Sequence, residues 1–406
     1  VWVKEVIASE DICDEFGTKL WAKGKPIDPR LWEKLSGRAL RQPLEASVST
    51  ADPLTHIDVA ESIERQVATK PHLKTLIESK LSVILARIQK ADFNSAEQMM
   101  LSLLRHGQRD IFDHACAVAA AAMCFGAHAN FDTGDLDRLL HAGVLHDVGE
   151  IYLDPELFSR RELSIADQRE LLLHPALGGM ITREVLRRTS NIAYAIEQSH
   201  ERLDGSGYPS GLPAKALTPL APALLTAESI IGLVMNDSAG IQHAAIALRL
   251  NPGEFPDQLV TLVNSLSQQA STQRASEPLP PAMRERMINA TYRNEQADIL
   301  LAQVLRQAPL SPAQRSALTR AEIIIKRCSR ALNSTGLSQL ASVAQDTELS
   351  VDPAEAEAIT REIEYRLNVL SRDIEIGFLD QRKPDLVTDL LAAIEPQQNV
   401  KQTAPA

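Results

Sequence analysis

The chain has 406 residues, with 42 Lys and Arg against 53 Asp and Glu, for a formal charge of −11. Hydrophobic residues at 44% can bury a sizeable core, which excludes a wholly disordered chain, and the length predicts two or three domains at roughly 150 residues each. Aromatic residues at 4%, with abundant Ala and Leu, predict packed helices rather than a β-sandwich, and the acidic balance argues against a nucleic-acid polymer as partner.

Residues 1–50 read as a small mixed α/β module. Val3-Lys4-Glu5-Val6-Ile7 and Thr18-Lys19-Leu20-Trp21-Ala22 predict short strands, Gly17 and Gly24 mark turns, and Pro29 to Leu35 predicts one helix. Residues 51–106 contain long stretches without Gly, such as Lys74 to Arg105, and predict connecting helices. Residues 107–266 hold nearly all the informative histidines. A Ser-, Gln- and Pro-rich linker is expected over 267–283, then a helical extension over 284–396 and a disordered polar tail over 397–406. In the extension, Ser311-Pro312-Ala313-Gln314 and Asp352-Pro353-Ala354-Glu355 each offer a helix cap, with Pro at the first helical position. Leu318, Ala321, Ile325, Cys328 and Leu332 form one stripe at 3-4-3-4 spacing, and Ile359, Ile363, Leu367, Leu370 and Ile374 form a second. Such stripes predict ordinary helix packing; a homodimer interface is the sharper alternative.

No membrane association is expected. The apolar run Ala115 to Ala127 is short of the about 20 residues a spanning helix needs, and Pro219 to Met235 is interrupted by Glu228 and two prolines. No signal-peptide pattern is visible at the start, a reading that holds for a chain that opens on Val1 rather than Met and so leaves its native N-terminus open. Cys13, Cys116, Cys124 and Cys328 show no CxxC spacing, which fits a reducing cytoplasm.

The histidines carry the chemistry. Asp110 and His114 stand four apart, on one face of a helix. His146 and Asp147 are adjacent in Leu-His-Asp-Val-Gly and can reach one metal only where a helix ends in a cleft; the two oxygens of Asp147 can serve two ions. His174 precedes Pro175, and His200-Glu201 precedes Asp204-Gly205-Ser206-Gly207-Tyr208-Pro209. Glu228 is the lone acid of an apolar helix, where an unpaired carboxylate is costly, so a metal or an ion pair is expected there. Nitrogen and carboxylate donors of this kind suit Fe, Mn or Zn better than Ca. His106, His128, His141 and His243 read as structural.

The order of these pieces closely resembles the HD-GYP family of bacterial signalling proteins, over residues from about Arg109 to Leu266. The resemblance implies an all-helical HD-type metal-binding core, so the chain as a whole is expected to be mainly α. It also implies hydrolysis of cyclic di-GMP to the linear dinucleotide or GMP. His114, His146, Asp147, His174, His200 and Glu228 are the implied metal ligands, with Asp110 as a further carboxylate and His146 and Asp147 at the catalytic centre. Two transition-metal ions are expected, with Fe or Mn favoured over Zn, and Asp147 bridging them so that they activate water and neutralise phosphate charge. Asp204, Gly205, Gly207, Tyr208 and Pro209 would form a tight loop beside the metals, with Gly205 and Gly207 permitting positive φ and close approach and Pro209 holding Tyr208 extended. Tyr208 would then stack on a guanine or meet another signalling protein.

The departures from the family pattern matter as much. Glu150 stands where the family has Lys, Ser199 where it has a second His, Pro222 where it has Arg, and Glu228 where it has Asp; the usual Arg-x-Tyr-Arg stretch is absent around Met235 to Gln242. Glu150, four residues after His146, is either a replacement metal ligand or a solvated glutamate at a helix end. The chain is therefore either a working phosphodiesterase with a remodelled site or a catalytically impaired module that binds cyclic di-GMP or a partner as receptor or scaffold. Hydrolysis of some other nucleotide is the third reading, and the intact Asp204 to Pro209 motif speaks against it.

Overall fold

The computed structural model describes residues 6–50, 52–107, 109–158, 160, 163–236, 240–270, 279–334, 353–378 and 383–395. The chain divides into two units, one of residues 1–161, 170–244 and 253–266 and one of 162–169, 245–252 and 267–406.

The first unit opens with two small strand pairs. Strand β1 (Val6–Ala8) pairs antiparallel with β4 (Val48–Thr50), Val6 opposite Thr50, while β2 (Ile12–Cys13) pairs with β3 (Lys19–Trp21). Between β3 and β4 lies α1 (Pro29–Ser36), with Pro29 at its first position and Leu31 N donating to the Asp28 carboxylate at 2.7 Å. Val6, Ala8, Ile12, Ile27, Leu35, Leu44 and Val48 bury their side chains together with Met99 of a later helix. The first expected strand thus falls at Val6–Ala8, and its residues 3–5 lie outside the described ones. Strand β2 was not foreseen, because Ile12 and Cys13 are flanked by aspartates and show no alternation.

Along the chain follow α2 (His56–Thr69), α3 (Pro71–Ile77), α4 (Leu81–Ile88), α5 (Ser95–Gly107), α6 (Arg109–His128), α7 (Thr133–Leu145), α8 (Ile165–Leu171), α9 (His174–Glu184), α10 (Ser190–Glu197), α11 (Ala221–Asn236), α12 (Gly240–Leu250) and α13 (Asp257–Ala270), of which most of α8, the second half of α12 and the end of α13 fall in the second unit. Helix α6 is the central one. Its Ala-rich run from Ala115 to Gly126 is fully buried, and α7, α11, α5 and α2 pack around it. Small side chains let the neighbours come close: a Cβ on Gly143 of α7 would lie 2.4 Å from Ala119 Cα. By length and composition α6, at 20 residues, could cross a membrane, which corrects the estimate from the apolar run alone; yet 72% of its most apolar window is buried inside the protein.

The second unit is built on α14 (Pro281–Gln307), α15 (Pro312–Ser334), α16 (Pro353–Gly377) and α17 (Asp385–Ile394). Ser311 and Gln314 form the expected capping box: Gln314 N donates to Ser311 Oγ at 3.3 Å and Ser311 N donates to Gln314 Oε1 at 2.9 Å. Asp352, the second expected cap, lies outside the described residues. Both stripes are buried, Leu318 to Leu332 on α15 and Ile359 to Ile374 on α16, in a core shared with α14, α17, Ile246 and Leu250. Their apolar faces are thus covered within this unit. Arg293 donates from Nε to Ile394 O at 2.9 Å, filling an acceptor that the end of α17 leaves open. Of the expected linker, residues 267–270 continue α13, since Ser-Gln-Gln-Ala breaks no helix; residues 271–278, like the 397–406 tail, lie outside the described ones.

Candidate metal centre

Five elements of the first unit deliver the site. Helix α7 ends at Leu145; His146 keeps helical dihedrals, Asp147 turns to φ −96°, ψ 9°, and a 3-10 helix runs over Val148–Tyr152. This break lets consecutive side chains enter one cleft. Gly149 then passes against the start of α9, where a Cβ would lie 2.1 Å from His174 O. His174 is the first residue of α9, His200 follows the turn after α10, Glu228 lies within α11, and His114 lies on α6.

The side chains form two trios. His114, His146 and Glu228 offer three ligand atoms within 4.8 Å of one another, and so do Asp147, His174 and His200. In the first, Glu228 Oε2 is 3.1 Å from His114 Nε2 and 3.0 Å from His146 Nε2. In the second, His174 Nε2 is 3.0 Å from His200 Nε2 and 3.7 Å from Asp147 Oδ1. Asp147 joins them, because its other oxygen, Oδ2, is 3.0 Å from His146 Nε2 and 4.0 Å from His114 Nε2.

Six of the expected residues are thereby brought together. Asp110 is not: it is exposed in the first turn of α6 and belongs to neither trio. Glu150 also belongs to neither, yet it is no solvated helix-end residue. It is half-buried, and burial together with the Asp147 carboxylate pushes its pKa up to about 8. Ser199, at the missing histidine's position, is fully buried with no hydrogen-bond partner for its hydroxyl. In the sequence Glu201 stands out only as the neighbour of His200. The structure shows it fully buried, accepting from Ser210 N and Leu212 N at 2.8 Å each. Its neighbour's histidine was the only local signal. Within the loop, Gly205 takes φ +81°, Gly207 passes so near Glu201 that a Cβ would lie 2.4 Å from its Cα, and the Tyr208–Pro209 bond is cis rather than a simple extended link. His141 is buried against Glu97, at 3.2 Å, in a structural role.

The donors fit a metal. His146 Nδ1 is 2.8 Å from Gly143 O and His174 Nδ1 is 2.7 Å from Leu171 O, so both rings carry their proton on the outer nitrogen and aim Nε2 inward. The buried His146 Nε2 has two carboxylate oxygens at 3.0 Å and still no well-directed hydrogen bond. With His114 Nε2 and Glu228 Oε2 it forms a cluster of three ligand atoms within 4.8 Å of one another, an arrangement that suits one shared ion. Two nitrogens each about 2.1 Å from one ion, at roughly a right angle, would stand about 3 Å apart, as those of His174 and His200 do.

Residues 73–229 match the family model described as HD domain. This stretch, about two-fifths of the chain, is similar to an HD domain. A curated relative, a cyclic di-GMP phosphodiesterase of Pseudomonas aeruginosa, is 27% identical over 125 residues, a span of 30% of this chain and 30% of that protein. A solved structure of an HDG"Y"P protein from Bdellovibrio bacteriovorus covers 52% of this chain and 70% of its own at a TM-score of 0.36 and 19% identity. The matched residues include the Asp204 to Pro209 segment.

The electrostatics of the two trios differ. Burial alone would push His146 down, but Asp147 and Glu228 outweigh it and hold its pKa well above the usual range; for His114 burial is likewise outweighed by Glu228. Burial would raise Glu228, yet His146 and His114 hold it well below the usual carboxylate range. His200 is the opposite case, pushed down to about 3 by burial. A metal entering the first trio must therefore displace protons, whereas His200 is already neutral. Titrating metal-free protein at pH 6 and pH 8 should show one ion whose affinity falls steeply towards pH 6 and one that changes less. Two equally pH-sensitive ions would contradict this assignment.

Proposed function

We propose that the HD domain is a metal-dependent phosphodiesterase that hydrolyses cyclic di-GMP to the linear dinucleotide or GMP in bacterial second-messenger signalling. The observation that carries this reading is Asp147, whose two oxygens each face a different trio of buried donors. Two bound transition-metal ions, Fe or Mn by ligand type, supply Lewis acidity and a nucleophile at neutral pH. The protein's own part is to hold them. Gly143 O and Leu171 O fix the tautomers of His146 and His174, Gly149 brings His174 against the His146–Asp147 break, and the Asp204–Pro209 loop borders the second trio. The relative's activity supports cyclic di-GMP as the substrate class. A cytoplasmic location is supported by four free cysteines. The loop is also the surface we assign to other signalling proteins. Metal analysis of purified protein beside a cyclic di-GMP turnover assay supplied with Mn or Fe tests the reading; metal-free, inactive protein under both metals would refute it.

Glu150 favours a second reading, a receptor that binds cyclic di-GMP without cleaving it, because it stands where the family pattern has Lys and offers no cation to stabilise charge on a phosphate oxygen as the ester opens. Glu150→Lys separates the two. If Glu150 has been recruited beside the ions, the lysine lowers bound metal and leaves hydrolysis lower or absent, which is the result we expect. Unchanged metal content with tighter cyclic di-GMP binding would favour the receptor.

A further inference from the structure

The histidines of the two trios are not all held in the same way. His146 and His174 each have a backbone carbonyl at Nδ1, within 2.8 Å. For the His200 ring the described hydrogen bonds show only the Nε2 contact with His174, and the residue is half-buried where its two partners in the trio are buried. What lies against it instead is Tyr208. The two rings stack with centroids 4.7 Å apart and planes 14° from parallel, and Tyr208 also meets the His174 ring edge-on at 6.5 Å.

The loop that brings Tyr208 there is fixed by the residues next to His200. Tyr208 N donates to His200 O at 3.1 Å. The buried Glu201 carboxylate accepts from Ser210 N and Leu212 N, just past the tyrosine, and a side chain on Gly207 would collide with the Glu201 backbone. Residues 200–201 and 207–212 thus form one hydrogen-bonded knot, with the tyrosine ring laid on the imidazole.

We propose that Tyr208 is a positioning residue for the Asp147–His174–His200 trio, setting the plane of the His200 ring by stacking, with Glu201 fixing the loop that carries it. This rests on reading the trios as metal-holding, and it gives the Tyr-Pro end of the loop a task distinct from contacting a nucleotide base. A ligand whose orienting partner is removed loses about 10–100-fold in metal affinity.

The test is a titration of the metal-free full chain with cobalt(II) alone, followed by visible absorption and by bound stoichiometry, with no substrate present. Wild type should take two equivalents. Tyr208→Leu, which keeps bulk but no aromatic face, should weaken one equivalent by about 10–100-fold and alter its absorption band, while the other stays as in wild type. Tyr208→Phe should restore both affinity and spectrum. Glu201→Ala should weaken the same equivalent as Tyr208→Leu. Two equivalents of wild-type affinity in Tyr208→Leu, equal weakening of both, or no rescue by Phe would overturn the positioning role while leaving the metal-holding reading intact. Wild type that takes up no cobalt would overturn that reading first, and this one with it.

Discussion

Under the proposed phosphodiesterase function, Asp147→Asn is expected to lower cyclic di-GMP hydrolysis by at least about a thousandfold, and to reduce bound metal from two ions to one. The rate estimate follows from removing the one carboxylate shared by both trios: two-ion catalysis contributes several kcal/mol, and about 4 kcal/mol corresponds to a factor of about 10³. The metal estimate follows from the donor count. Without Asp147 the first trio keeps His114, His146 and Glu228 with their 3.0 and 3.1 Å spacings, whereas the second is left with two histidines. His146→Ala should give the converse, because the second trio keeps all three donors and the first loses its most buried one. Metal stoichiometry on the two variants, beside turnover of cyclic di-GMP, checks both. If either variant retained two tightly bound ions, the division into two trios joined by Asp147 would be wrong.

How far the sequence foretold this site depends on the distance between partners along the chain. The Asp204 to Pro209 loop and the His146–Asp147 pair are contiguous, so their spacing alone singled them out. Glu228 was singled out by energetics, since a carboxylate in an apolar helix needs a partner, and its partners proved to be His114 and His146. The stripes on α15 and α16 were legible because periodicity reports a buried face, though not which helices cover it. Asp110 shows the limit of spacing arguments: it shares a helix face with His114, but one turn earlier α6 is exposed. Glu150 shows another limit. Its helical spacing from His146 ignored the change to a 3-10 helix at Val148, and only the fold reveals its half-buried place beside Asp147. Glu201 was hidden because its partners are backbone N–H groups, which leave no trace in side-chain identity.

Glu97→Ala should cost about 3 kcal/mol of stability and lower the melting temperature of the first unit by about 10 °C. Glu97 is fully buried in α5 and ties together three segments far apart in sequence. Its Oε1 is 3.2 Å from His141 Nδ1 on α7 and accepts from Arg188 Nε at 2.6 Å; Oε2 accepts from Asn94 N at 2.9 Å and from Arg188 Nη2. Truncation leaves the partly buried Arg188 without its counter-charge and His141 Nδ1 without its partner, and it removes the Glu97 half of the capping box at the start of α5, where Asn94 Oδ1 still accepts from residue 97 N. Glu97→Gln keeps the cap and the shape, so it should lose about half as much. The pH dependence has a definite sign. Burial would raise Glu97, but the hydrogen bonds from His141 and Arg188 outweigh it and hold its pKa below the usual value. The contribution is therefore complete above the unfolded value of 4.5 and is lost as pH falls through the folded one. Urea unfolding in a series from pH 7 downwards should show the gap between wild type and Glu97→Gln constant above 4.5 and narrowing only below it. Because α7 leads directly into His146 and Asp147, both variants should also bind metal less tightly; wild-type metal affinity in Glu97→Ala would show that the ion network stabilises the fold without shaping the site.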